Sequence, residues 1–122
     1  KKVVIGNGIT VIPDKAFSSF KELTEVDLGD ITKIGEHAFA NCAKLNKVLG
    51  TSKIKSINDD PFNGCTSLVE FYIPRGAKIN ARHGLFNGCA KLKTVRMPGA
   101  DKELWETNFE QTTGHRVEVV CK

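Results

Sequence analysis

The sequence predicts a short α/β repeat solenoid, a stack of similar strand-and-turn units sharing one core. Three observations predict it. Phe17, Phe39, Phe62 and Phe86 recur at separations of 22, 23 and 24 residues. Other apolar positions keep a constant distance from each of these rings. The length differences between copies fall between the last apolar column of one copy and the first of the next, as a surface loop on a fixed scaffold would place them.

The columns are regular. Three residues after each Phe stand Phe20, Cys42, Cys65 and Cys89. Three further on come Leu23, Leu45, Leu68 and Leu92, and then Val26, Val48, Phe71 and Val95. The copies read FSSFKELTEV, FANCAKLNKV, FNGCTSLVEF and FNGCAKLKTV. Upstream, Ile12, Ile34, Ile57 and Ala81 lie five before the Phe. Ile9, Ile31 and Ile54 lie eight before it, and in the fourth copy the isoleucine slips one place, to Ile79.

Each element follows from this lattice. Val3 lies fourteen residues before Phe17, the gap that also separates Val48 from Phe62. Residues 1–8 therefore read as the strand of an incomplete first repeat, and the chain is expected to begin mid-repeat, as a piece of something longer would. Residues 9–98 hold four repeats of 22–24 residues. Within each, alternation around the Val column predicts a short strand. Pro74 and Pro98 stand where the strands of the third and fourth copies should end. Because every copy runs in the same direction, the strands stack in parallel. The segment between the Ile and Phe columns predicts a turn and a single helical turn on the opposite side. Residues 99–122 form a degenerate C-terminal cap. Here 101–111 predicts a helix, with Asp101 as N-cap and Leu104, Trp105 and Phe109 on one face. Thr112 and His115 fall in the Cys and Leu columns, and the closing strand, 116–121, is shifted by one residue. Polar residues entering core columns suit a last unit with no neighbour to cover it.

Composition narrows the function classes. The 122 residues are one domain's worth of chain, with 40% hydrophobic and 26% charged residues, as in a globular protein. Eighteen Lys and Arg against fourteen Asp and Glu give +4, spread along the sequence rather than gathered in a basic arm, so charge does not point to nucleic acid. No apolar run approaches the ~20 residues of a membrane span. Lys1 and Lys2 lead into only three apolar residues, too few for a secretory signal.

The pattern I-x-x-I-x-x-x-A-F-x-x-C-x-x-L-x-x-V-x-I-P, as in IKSINDDPFNGCTSLVEFYIP, resembles the BspA-like leucine-rich repeats over Lys2 to about Pro98. The resemblance implies a right-handed leucine-rich-repeat solenoid with a parallel sheet on its concave face and short helical turns on the convex side. It implies bacterial surface or secreted proteins, in adhesion or protein binding, with no catalytic residues and no cofactor to carry over. An extracellular or cell-surface location is expected, with a host surface or matrix protein as the kind of partner.

The side chains that could carry chemistry give little. Four cysteines allow two disulfides in three connectivities, but Cys42, Cys65 and Cys89 share a column with Phe20. A position that accepts Phe is buried, and equivalent side chains in stacked strands point the same way, so these read as free buried thiols. No Cys-x-x-Cys occurs and the three His are scattered, which disfavours a metal site. His37, His83 and His115 share no column and read as solvated turn residues. Gly6-Asn7-Gly8, Asn63-Gly64 and Asn87-Gly88 lack phosphate-loop spacing, and the two Asn-Gly pairs before the Cys column read as tight turns needing φ > 0. The outward strand positions remain. One row is Val4, Asp27, Leu49, Tyr72, Arg96 and, in the shifted register, Glu118. The other is Lys2, Glu25, Lys47, Glu70, Thr94 and Arg116, whose alternating charges suit pairing between neighbouring strands. Leu49 and Tyr72 side by side, with Asp27, Arg96, Glu70 and Lys47 around them, form the candidate protein-binding patch. The expected function is non-catalytic protein binding or adhesion through the concave sheet face, or else a structural spacer or cap within a longer surface protein.

Overall fold

The computed structural model describes residues 1–81 and 83–122. In chain order its elements are β1 (Lys2–Val4), β2 (Val11–Ile12), β3 (Glu25–Asp27), β4 (Lys33–Ile34), β5 (Lys47–Leu49), β6 (Ser56–Asn58), β7 (Glu70–Tyr72), β8 (Lys78–Asn80), β9 (Thr94–Arg96), α1 (Lys102–Thr113) and β10 (Glu118–Val120). Alternation around the Val column produces the odd-numbered strands and β10, all parallel. Their register follows the columns: Val3 lies opposite Val26, Val26 opposite Val48, Phe71 opposite Val95 and Val95 opposite Val119.

This main ladder is in two pieces, β1-β3-β5 and β7-β9-β10. The cause is local. Just past the strands, Ile5 N donates to Asp27 O, Leu28 N to Leu49 O, Ile73 N to Arg96 O and Met97 N to Val120 O, at 2.8–2.9 Å. The equivalent bond from Gly50 to Tyr72 is missing among the described residues. Gly50 occupies the place of Ile5, Leu28, Ile73 and Met97. It has no side chain to bury, and its φ of +72° turns the chain away from the ladder. The Phe71 ring, in a column otherwise held by Val, leans between Phe62 and Phe86, with centroids 4.8 and 5.8 Å away. Val48 is left half-buried.

A second parallel ladder, β2-β4-β6-β8, runs unbroken and pairs Ile12 with Ile34, Ile34 with Ile57, and Ile57 with Ile79. This corrects the fourth copy. Ile79 belongs with Ile57, five before the Phe in the earlier copies, so the fourth copy also gains length between its Ile and its Phe.

The single helical turns expected on the opposite side are instead chains of tight turns, such as Ala16 N to Pro13 O and Ser18 N to Lys15 O, both 3.1 Å. Two positive-φ columns keep them from becoming helix. Two residues before each Phe stand Lys15, His37, Asp60 and Gly84, and two after stand Ser19, Asn41, Gly64 and Gly88, all with positive φ. The turns hydrogen-bond from repeat to repeat: Ser19 N to Ala40 O at 2.7 Å, Phe39 N to Pro61 O at 2.8 Å and Gly64 N to Gly88's neighbour Asn87 O at 2.8 Å. Glycine is favoured in these columns because left-handed backbone costs a residue with a Cβ about 1–2 kcal/mol. Lys15→Gly or Ser19→Gly should therefore stabilise the fold, by roughly 0.5–1 kcal/mol after the unfolded chain's gain in freedom. Urea denaturation checks this, and a loss of stability in both variants would contradict it.

The core is the columns themselves. Phe17, Phe39, Phe62 and Phe86 stack nearly parallel, with centroids 5.3, 5.5 and 5.9 Å apart. Phe109 closes the stack edge-on to Phe86 at 5.3 Å. Asp101 caps α1 by accepting from Leu104 N at 3.1 Å, and Gly114 ends it with φ +81°. Leu104 departs from expectation: it is 60% exposed, while Trp105 and Phe109 face the core. Glu106 accepts the Val119 amide at 2.9 Å, so the cap helix satisfies a donor of the last strand.

The closing strand also needs correction. Val119, not Val117, pairs with Val95. Glu118 therefore sits opposite Thr94 in the charged row, Val120 takes the place beside Arg96, and Arg116 lies outside the strand. α1 runs to Thr113, past the expected 111, and pushes the strand along.

Candidate outward-face binding site

The candidate site is built on the outward positions of the main ladder, where a strand's period of two sends alternate side chains away from the core. In the first half of the row, Val4 lies opposite Asp27, and Asp27 opposite Leu49. In the second half, Tyr72 lies opposite Arg96. Leu49 and Tyr72 belong to β5 and β7, which form no ladder, so they are not paired neighbours in the way the repeat spacing suggested.

What lies at the break is a shallow slot of about 190 Å³ lined by Val48, Glu70, Phe71, Tyr72 and Arg96. Val48, half-buried, gives it apolar surface, whereas Phe71 is 3% exposed and its side chain belongs to the core. The Arg96 guanidinium carbon sits 5.4 Å from the Tyr72 ring centroid, a cation–π stack that holds both side chains. Leu49, 39% exposed, stands on the β5 side. Among the sequence candidates, Tyr72, Arg96 and Glu70 share the slot, while Lys47 is exposed on β5. Asp27 is occupied locally: its carboxylate accepts the Gly29 amide at 3.1 Å.

The charged row pairs in part. Lys2 Nζ lies 2.9 Å from Glu25 Oε2, and that hydrogen bond raises the Lys2 pKa above its ordinary value. The break separates Lys47 from Glu70, so the alternation of sign does not continue as a ladder. Sequence reasoning missed Val48 and Phe71 as slot residues. Two signals were present, the glycine at position 50 and the Phe in a Val column.

The BspA-type leucine-rich repeat model matches residues 1–115 in six copies. The chain belongs to that family. The count equals the number of strands in the two pieces of the main ladder. Among solved structures, a leucine-rich repeat protein from Bacteroides capillosus ATCC 29799 is 29% identical, with TM-score 0.67, over 80% of this chain and 77% of that one. The T. pallidum leucine-rich repeat protein is 24% identical, with TM-score 0.64, over 98% of this chain and 68% of that one. A leucine-rich cell surface protein from Faecalibacterium prausnitzii A2-165 is 24% identical, with TM-score 0.75, over 98% of this chain and 31% of that one. These likenesses carry the solenoid fold and its parallel sheet. No curated protein matches the chain.

In this BspA-type chain the other chemistry-bearing side chains are structural. The thiols of Cys42, Cys65 and Cys89 are free and donate to the carbonyls of Phe17, Phe39 and Phe62 at 3.1–3.2 Å, each reaching back one repeat. The histidines are not simply solvated. His115 Nε2 lies 2.6 Å from Leu92 O, tying the cap to the fourth repeat. His83 is exposed but its Nδ1 lies 2.7 Å from Asp59 Oδ2. His37 is half-buried at a φ of 54°. Gly64 and Gly88 have the positive φ that the Asn-Gly pairs implied.

Proposed function

We propose that the chain is a non-catalytic binding module that docks a partner protein or peptide on the outward face of the main ladder, in a protein displayed at or beyond the cell surface. The observation that carries this reading is the slot at the break, where half-buried Val48 lies beside the stacked Tyr72 and Arg96. Tyrosine suits an anchor because it offers a large apolar area, a hydroxyl at the tip and few rotamers to freeze. Leu49 adds apolar area across the break. Glu70 in the slot, with Lys47 on β5 and Asp27 beyond it on β3, sets orientation more than affinity. The description of the F. prausnitzii relative as a cell surface protein supports the location. A host surface or matrix protein is the partner class to try first.

Binding to a panel of purified host matrix and cell-surface proteins tests this. Tyr72→Ala should weaken the interaction by about 2 kcal/mol, roughly 30-fold in Kd, with the circular dichroism spectrum unchanged. Lys44→Ala, on an exposed turn, is the control. If Tyr72→Ala and Leu49→Ala bind as tightly as the parent, the outward-face site is wrong, and a structural spacer within a longer surface protein becomes the better account.

A further inference from the structure

Three asparagines precede glycine in this chain: Asn7-Gly8, Asn63-Gly64 and Asn87-Gly88. The pair is chemically special. A glycine nitrogen, unhindered by a neighbouring Cβ, can close on the preceding side-chain carbonyl carbon. That closure requires the asparagine side chain to swing over its own main chain and the glycine nitrogen to be free. The fold treats the three pairs differently.

Asn63 and Asn87 are held by the same buried carboxylate. Asn63 Nδ2 donates to Asp60 Oδ2 at 2.6 Å, and Asn87 Nδ2 donates to that oxygen at 2.9 Å. Asn87 Nδ2 also donates to His83 O, and its main-chain N–H donates to Asp60 Oδ1 at 3.3 Å. The nitrogen of Gly64 is committed as well, donating to Asn87 O at 2.8 Å. Asp60 is 2% exposed, so this network exchanges little with water. Asn7 and Gly8 instead form an exposed turn between β1 and β2. Among the described residues no hydrogen bond holds the Asn7 side chain. Gly8 N donates to Asp30 Oδ2 only at 3.5 Å, the long limit of a hydrogen bond, and the surroundings of Gly8 are open, with nothing within 4 Å of where a Cβ would stand.

We propose that Asn7 is a site of spontaneous deamidation, and that the fold protects the other two. The Gly8 nitrogen gives its proton to solvent and attacks Asn7 Cγ. The new N–C bond forms as the bond to Nδ2 breaks, and the amide nitrogen leaves, protonated, as ammonia. Water then adds to either carbonyl of the resulting succinimide and opens it, leaving an aspartate or an isoaspartate. Nothing is oxidised or reduced. The new carboxylate stands next to Gly8, whose amide reaches Asp30, the partner of Lys53 Nζ at 2.6 Å, and the isoaspartyl form adds a methylene to the turn that joins the two ladders. Modification should therefore loosen the first repeat and leave the capped end unchanged.

Peptide mapping of the intact folded chain, held at mildly alkaline pH, tests the proposal. Isoaspartyl methyltransferase labelling serves as a second readout. Asn7 should convert about 10- to 100-fold faster than Asn63 or Asn87, the factor expected from one or two hydrogen bonds that must first break. In concentrated urea the three should convert at similar rates, showing that the difference belongs to the fold, and Asn7→Ser should remove the early label. Conversion in the folded chain at Asn63 or Asn87 as fast as at Asn7 overturns the proposal, as does persistence of the early label in Asn7→Ser.

Discussion

Phe62→Ala should cost about 3–5 kcal/mol, a large share of the roughly 5–15 kcal/mol that holds a domain together. Phe62 is fully buried. Its ring lies between Phe39 at 5.5 Å and Phe86 at 5.9 Å, and Phe71 leans on it at 4.8 Å. A cavity at this point cannot close easily. The backbone of the neighbouring repeats is held by the unbroken second ladder and by turn bonds such as Phe39 N to Pro61 O. The rings on either side cannot slide together without breaking them. Truncation should lower the melting temperature by roughly 10–20 °C. Phe17→Ala should cost less, because Phe17 is half-buried at the open end of the stack. If Phe62→Ala melted with the parent, the stack would not be the centre of the core.

The second large effect is on the cysteines. Burial pushes the Cys89 thiol up from 9.0 to about 12, and pushes Cys65 higher still. Only the thiolate reacts, so at neutral pH Cys89 carries far less reactive thiolate than an exposed thiol would. Cys121, half-buried beside the C-terminus, should be modified first by a thiol reagent, and the column cysteines only as the chain unfolds. The same shifts make stability depend on pH. Above about pH 9 the unfolded chain has ionised thiols while the folded chain keeps them protonated. The unfolded state then binds fewer protons, and stability falls as pH rises toward the folded values. Cys65 and Cys89 should each contribute a loss of about 1.4 kcal/mol per pH unit in that window. Urea melts near pH 7 and about pH 10 read the slope. The Cys65→Ala, Cys89→Ala double variant should start less stable and show a shallower alkaline decline. An equal decline in parent and double variant would mean that these thiols ionise in the folded chain.

A repeat solenoid lets much of its fold be read from sequence, because each unit touches mainly its neighbours. Phe39, Cys65 and Val95 are buried for reasons visible in their columns. The column spacing also sets which residues pair, as with Val26 and Val48. The helix cap at Asp101 was legible too, since its chemistry is local.

Other features depended on how the units settle against one another. Ile79 lies two places before Ala81, the residue that equal spacing puts in the column of Ile57, yet the second ladder pairs it with Ile57, because backbone bonding and an apolar contact outweigh equal spacing. Lys15, His37 and Asp60 adopt positive φ that their residue types do not announce. The turn ladder imposes it, through bonds such as Lys15 N to Glu36 O at 2.9 Å. The closing strand pairs through Val119 because α1 runs two residues further than its apolar pattern required. By itself the sequence determined the solenoid, its core columns, its free thiols and the outward rows as far as β9, since these follow from one repeated side-chain period. Only the tertiary structure decided that the main ladder divides between β5 and β7. That outcome joins the missing side chain of Gly50 to the oversized ring of Phe71, two residues of different repeats whose combined effect on backbone pairing exists only once they are stacked.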